Sequence, residues 1–310
     1  MRTNFLMAIL FLFVFYGCKS ESPIDEEDPV SQEELASGSN NLDTNFLPFK
    51  GKTIKVYYYL PESFTKDSRI VFIFHGTDRN AEDYRDAWVN KAIQYNFMAV
   101  VPEFSEENFP GGDGYNLGNV FIDGDHPSTS TLNPEDEWTF SIIEPLFDFI
   151  KQKVNNESET YLIFGHSAGA QFAHRFVMFE PNARVEKVVA SASGWYTLID
   201  TSTDFPYGFQ NSPLMESDIS GLLSKELIIQ VGELDNDPNS SGLRHNEIVD
   251  MQGLNRFVRG RYFFEMSQEF ARNNNLPFEW KFIELRSIGH DYKTASKKAA
   301  DLLFTETIDQ

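Results

Sequence analysis

The sequence predicts an α/β fold, a mostly parallel central sheet with helices on both faces. Three observations lead there. Short continuous runs of β-branched and aromatic residues, at 69–74, 97–101 and 226–232, read as strands covered on both sides. They alternate with longer segments whose apolar residues recur at helical spacing, so the strands must pair in parallel with helices packed across them. At 161–179 a buried-strand run passes straight into a helical pattern through Gly165-His-Ser167-Ala-Gly169.

In chain order, 53–60 alternates like an edge strand and stops at Pro61, and 69–74 is a buried strand. Residues 81–95 read as a helix with Trp88, Val89, Ala92 and Ile93 as its apolar stripe. The strand 97–101 is closed by Pro102, and a loop rich in Gly, Asp, Asn and Pro follows at 103–133. An amphipathic helix is expected at 135–154, with Ile142, Ile143, Leu146, Phe147 and Ile150 on one side. Beyond Ser167 come a strand at 185–193, an irregular insertion at 195–223 and a strand at 226–232. A long helix is expected over 245–273, with Ile248, Met251, Leu254, Phe257 and Phe263 facing the core. A last strand at 279–285 and a helix at 292–304 close the pattern. Neither an internal repeat nor a second domain is visible, and 46–310 is expected to form one domain.

The 310 residues carry a formal net charge of −21, which excludes nucleic acid as a partner because that requires a basic footprint. Cys18 is the single cysteine, so neither an intramolecular disulfide nor a cysteine metal cluster is available. One positive charge followed by an apolar run at 5–17 reads as a signal peptide, too short for the roughly 20 apolar residues of a membrane span. Gly17-Cys18 resembles a bacterial lipobox. That resemblance implies removal of the leader, acylation of Cys18, and attachment to the outer membrane of the cell envelope. Residues 19–45 are acidic and rich in Ser, Pro and Asn, which predicts a disordered linker.

Gly165-His-Ser167-Ala-Gly169 fits the G-x-S-x-G turn, in which an abrupt strand-to-helix passage strains the central residue and exposes its hydroxyl. Gly165 and Gly169 stand where neighbouring backbone leaves no room for a Cβ. Ser167 is thus a candidate nucleophile, with the Ala168 N–H beside it at a helix N-terminus that favours negative charge. Such a serine needs an acid, a base and oxyanion donors. Asp235, three residues past Gly232, has the preferred position for the acid, and Asp237 competes with it. His290 falls between the last strand and the last helix, a better site for the base than His75, His126, His166, His174 or His245. The loop after 69–74 turns at Gly76 and directs the Thr77 N–H toward the serine, with Asn116 and Asn119 as side-chain helpers. Tyr115, Trp138 and Trp195 are candidate substrate-binding residues, with Phe121, Tyr196 and Phe205 as further walls. Asp235, Asp237 and Asn239 have part of a calcium-loop spacing, but Pro238 and the missing ligands speak against it. This chemistry requires neither metal nor organic cofactor.

Together, His75-Gly76, Gly165-His-Ser167-Ala-Gly169, Gly232-x-x-Asp235 and Gly289-His290 resemble the α/β-hydrolase superfamily across about residues 50–305. The stretches 77–84 and Gln252-Gly-Leu-Asn-Arg256 are similar to secreted esterases related to polyhydroxybutyrate depolymerases and feruloyl esterases. The resemblance implies a monomeric serine esterase without a large lid, working through an acyl-enzyme on short-chain, aromatic or carbohydrate-linked esters. Two departures narrow it: Thr77 stands where those depolymerases often carry cysteine, and no polymer-binding module accompanies the domain. A peptidase or thioesterase on the same triad is the alternative within the enzyme class. A non-catalytic carbohydrate- or surface-binding lipoprotein is the alternative outside it.

Overall fold

The computed structural model describes residues 34–45 and 52–305. The expected signal peptide and Cys18 lie outside the described residues, and among those described no helix is long and apolar enough to cross a membrane.

Among the described residues eight strands form one sheet: β1 (Gly38–Asn45), β2 (Thr53–Leu60), β3 (Ile70–Phe74), β4 (Met98–Pro102), β5 (Tyr161–His166), β6 (Val185–Ser191), β7 (Glu226–Gly232) and β8 (Lys281–Leu285). Their spatial order is β1-β2-β4-β3-β5-β6-β7-β8. The β1–β2 and β2–β4 pairs are antiparallel, and every pair from β4 to β8 is parallel. Every residue of β3, β4 and β5 is buried, the pattern their continuous apolar runs predict.

Among the described residues seven helices accompany the sheet: α1 (Ala81–Tyr95), the short α2 (Gly111–Gly114), α3 (Ile143–Lys153), α4 (Ala168–Phe179), the short α5 (Ile219–Leu223), α6 (Arg256–Asn274) and α7 (Tyr292–Phe304). One apolar layer joins α1 and α7 to the sheet through Trp88, Phe97, Phe164 and Ala299. The opposite, larger layer joins α3, α4 and α6 through Phe72, Phe147, Phe172 and Phe263. The two layers put helices on both faces of the sheet.

Three sequence expectations are corrected. The expected linker at 19–45 ends early, because Gly38–Asn45 pairs with β2 as the outermost strand, Leu42 opposite Val56. The helix expected at 135–154 is two 3-10 turns followed by α3. Pro145 explains this: it fits the first turn of a helix but lacks an N–H and clashes with the carbonyl four residues earlier, so α-helix cannot continue back through it. The helix expected at 245–273 is broken at Gly253, whose φ of 127° has no place in a helix, and α6 restarts where the Asn255 side chain accepts from the Val258 N–H. Ile248, Met251 and Leu254 therefore lie exposed rather than in the core.

Candidate active site

Ser167 is the one residue between β5 and α4, and its backbone sits at φ 57°, ψ −115°, a conformation L-residues rarely adopt. The surroundings hold it there. Its N–H donates to the Ser191 carbonyl at 2.9 Å, and its carbonyl accepts from the N–H groups of Ala170 and Gln171, both at 3.1 Å. A Cβ on Gly165 would stand 2.1 Å from the Gly169 carbonyl oxygen, and one on Gly169 would stand 2.1 Å from that of Phe74. Both glycines are thus required for strand and helix to meet so closely.

The candidate acid and base arrive on paired loops. Past the ends of β7 and β8, Glu233 N–H donates to Leu285 O at 2.9 Å and Leu234 N–H to Ile288 O at 2.8 Å. The Ser287 N–H donates to the Glu233 carboxylate at 2.8 Å. These bonds carry Asp235 to His290, with Oδ2 and Nδ1 2.6 Å apart. Asp235 is 4% exposed, and its Oδ1 faces Arg256 Nη1 at 3.4 Å. Asp237 is exposed and spends its carboxylate on the Asn239 N–H of its own turn. Of the two competing acids, the geometry joins only Asp235 to His290.

With Nδ1 turned to Asp235, His290 has Nε2 left for the cavity of about 330 Å³ that it lines with Ser167, Gly76, Thr77, Gln171 and Gly194. Beneath it lies the fully buried His166, ring centres 4.6 Å apart. Burial, and then the neighbouring His290 and Arg256, hold the His166 imidazole well below its usual range.

The loop after β3 faces the serine from the other side, and a Cβ on Gly76 would stand 3.8 Å from the Ser167 Cβ. Thr77 and Ala168 line a common cavity, and among the described residues neither N–H donates to a protein group. The loop is fixed from below. The Phe104 N–H donates to His75 Nε2 at 3.1 Å, which places the imidazole proton on Nδ1, where it donates to the Gly76 carbonyl at 3.0 Å. The Tyr115 hydroxyl donates to the His75 carbonyl at 2.8 Å.

Burial pushes the His75 imidazole down from 6.5 to about 4. The unfolded chain takes up this proton near pH 6.5, while the folded one resists it until about pH 4. The contribution of His75 to stability is therefore complete above pH 6.5 and is lost as pH falls through that window, about 3 kcal/mol in all. Denaturant titrations of wild type and His75→Gln between pH 7 and 4 check this. The variant is expected to show the flatter dependence, and equal slopes would refute a neutral His75.

The remaining sequence candidates divide. Trp195 and Asn116 line the second cavity, also about 330 Å³, beside Thr77 and Ala168. Tyr115 borders it as well, but its hydroxyl is committed to the His75 carbonyl in the loop after β3. Trp138 is not at the site. It packs edge-on against Phe179, donates its indole N–H to Asn133, and borders a separate cavity of about 610 Å³. Phe121 and Phe205 pack against each other in the core, Tyr196 stacks on Phe263, and Asn119 donates to the Glu137 carbonyl. Their aromatic character reported burial, not ligand contact. Sequence reading missed Gln171 and Arg256. Gln171 follows Ser167 by four residues, one helical turn, which is the signal that could have found it. Among the described residues no group of three or more His, Cys, Asp or Glu is arranged to hold a metal ion.

No family model and no curated protein sequence matches the chain. Solved structures do. Poly(aspartic acid) hydrolase-1 from Sphingomonas sp. KT-1 superposes with a TM-score of 0.81 at 36% identity, over 87% of this chain and 100% of that one. LpqC, a poly(3-hydroxybutyrate) depolymerase from Bordetella parapertussis, gives 0.81 at 30%, over 89% and 93%. The chain is an α/β-hydrolase of the poly(3-hydroxybutyrate) depolymerase-like group. An S-formylglutathione hydrolase from Agrobacterium tumefaciens, at 16% identity and a TM-score of 0.54, shares the fold with this hydrolase. In α/β sheets, sites form beyond the carboxyl ends of the strands. In this hydrolase Ser167, Asp235 and His290 stand just past the carboxyl ends of β5, β7 and β8.

Proposed function

We propose that the protein is a serine esterase in which Ser167 attacks, His290 moves the proton and Asp235 orients the imidazole. One observation carries this reading: the strained Ser167 shares a cavity with His290, whose other ring nitrogen is held at 2.6 Å by a buried carboxylate. Nε2 takes the hydroxyl proton as the oxygen adds to an ester carbonyl, and the N–H groups of Thr77 and Ala168 hold the resulting oxyanion. His290 then protonates the departing alcohol. Water repeats the sequence on the acyl-enzyme. Short-chain, aromatic or carbohydrate-linked esters suit an open cleft with Trp195 at its wall.

The likeness to a poly(aspartic acid) hydrolase supports a second reading, in which the same serine cleaves that polymer. The cations of the cleft weigh against it. Arg79 is bonded to Glu106 and three carbonyls, Arg244 to Asp125 and Tyr207, and Arg256 to Asp235 and Ser240, so each is already occupied by protein. Exposure of purified protein to a fluorophosphonate, then to p-nitrophenyl esters and poly(aspartate), separates the readings. Labelling of Ser167 with ester turnover is expected. Polymer turnover without ester turnover would establish the second reading, and absence of labelling in folded protein would sink both.

We further propose that acylated Cys18 anchors the enzyme to the outer membrane, on the strength of the leader and of Gly17-Cys18. Cys18→Ala is expected to move the protein from the membrane to the soluble fraction and to abolish incorporation of labelled fatty acid. Retained label would refute the anchor.

A further inference from the structure

Gln171 lies one helical turn beyond Ser167, 8% exposed, and lines both cavities of the cleft. Its amide has only one tenable orientation. Oε1 accepts from Asn116 Nδ2 at 2.9 Å and from Arg175 Nη1 at 3.4 Å. A guanidinium can only donate, so the oxygen must face Arg175 and the amino group must face away from it. Among the described residues no protein group accepts from Nε2. Space for it is left by Gly194, where a Cβ would stand 2.9 Å from this nitrogen.

Arg175 reinforces the arrangement. It is fully buried, and among the described residues it has no carboxylate partner. It donates to Thr197 Oγ1 and to the carbonyls of Asn116 and Gln171, and lies over the Trp195 ring at 4.2 Å. A cation bonded to an amide oxygen in a poorly hydrated place withdraws electron density from it and strengthens the N–H donors at the other end. Gln171 is buried as a residue, but Nε2 keeps solvent access and is open to whatever occupies the cleft.

The two cavities have different neighbours. His290, which must reach the departing oxygen, lines the first cavity and not the second. The acyl group is thereby directed toward the second, past Ala168 and Trp195, and Gln171 stands at the passage. We propose that Gln171 is a substrate-binding residue whose amide nitrogen donates to an oxygen on the acyl group close to the reacting carbonyl. The site then selects acyl groups bearing a hydroxyl or a second carbonyl there over plain alkyl chains. The proposal rests on Ser167 being the nucleophile.

The test compares p-nitrophenyl 3-hydroxybutyrate with p-nitrophenyl butyrate, which differ by one hydroxyl. Wild type is expected to favour the hydroxylated ester in kcat/KM, and Gln171→Leu to lose that preference by roughly tenfold. Gln171→Glu keeps the shape and the contact with Arg175 while removing the donor, so it carries the test alone if the leucine variant fails to fold. Its preference is expected to fall likewise. An unchanged ratio in the variants, or an equal loss on both esters, would overturn the proposal. Fluorophosphonate labelling separates this failure from that of the underlying reading. Variants that label Ser167 at the wild-type rate retain the nucleophile, whereas a wild type that does not label removes the basis for both.

Discussion

Ser167→Ala is expected to lower kcat on a p-nitrophenyl ester by roughly 10⁴- to 10⁶-fold, while the protein stays folded. The size of the effect follows from what remains. Without the hydroxyl no acyl-enzyme forms, and His290 and the two N–H groups can act only on water and bound ester. Folding is not expected to suffer, because the bonds that hold residue 167 use its backbone: the N–H to Ser191 and the carbonyl to Ala170 and Gln171. Steady-state kinetics beside near-ultraviolet circular dichroism would check this. A folded variant retaining a hundredth of wild-type turnover would remove Ser167 from the chemistry.

Asp235→Asn is expected to lower kcat by roughly 10⁴-fold, and Asp237→Asn to leave it within about twofold. An amide in place of the carboxylate turns a donor toward Nδ1 or accepts too weakly from it. The imidazole then loses both its orientation and the charge that stabilises its protonated form. The same change leaves Arg256, 4% exposed, facing an uncharged group, and a buried charge deprived of its partner typically costs about 3–5 kcal/mol. Lower stability should therefore accompany the catalytic loss in Asp235→Asn alone. Comparable kinetic losses in both variants would contradict the assignment of the acid.

The sheet was legible because its strands are covered on both faces, which leaves runs such as Ile70–Phe74 that no helix pattern imitates. Ser167 and His290 were legible for a related reason: each sits where a strand ends and a helix begins, and those transitions show in the sequence. The choice between Asp235 and Asp237 was not, because both lie on one turn and only the pairing of two distant loops decides it. Trp138 misled because a large aromatic residue is as useful in a core as in a cleft. The break at Gly253 was missed because Ile248, Met251 and Leu254 keep helical spacing while lying exposed on the surface. Gly38–Asn45 was passed over as linker because its residues are polar, and an outermost strand needs few apolar side chains when hydrogen bonds to its neighbour hold it.

That outermost strand bears on which border of the sheet is left open to other chains. β2, which it covers, is Thr-Ile-Lys-Val-Tyr-Tyr-Tyr-Leu, a β-branched and aromatic sequence of the kind that recruits other strands when its edge is free. β1 is Gly-Ser-Asn-Asn-Leu-Asp-Thr-Asn, which offers a new partner little beyond solvated side chains. The chain thus caps its most adhesive border with eight residues of low adhesiveness drawn from the segment leading into the domain. A fragment trimmed at residue 46 would lose that cap and expose β2, leaving the hydrolase prone to edge-to-edge aggregation.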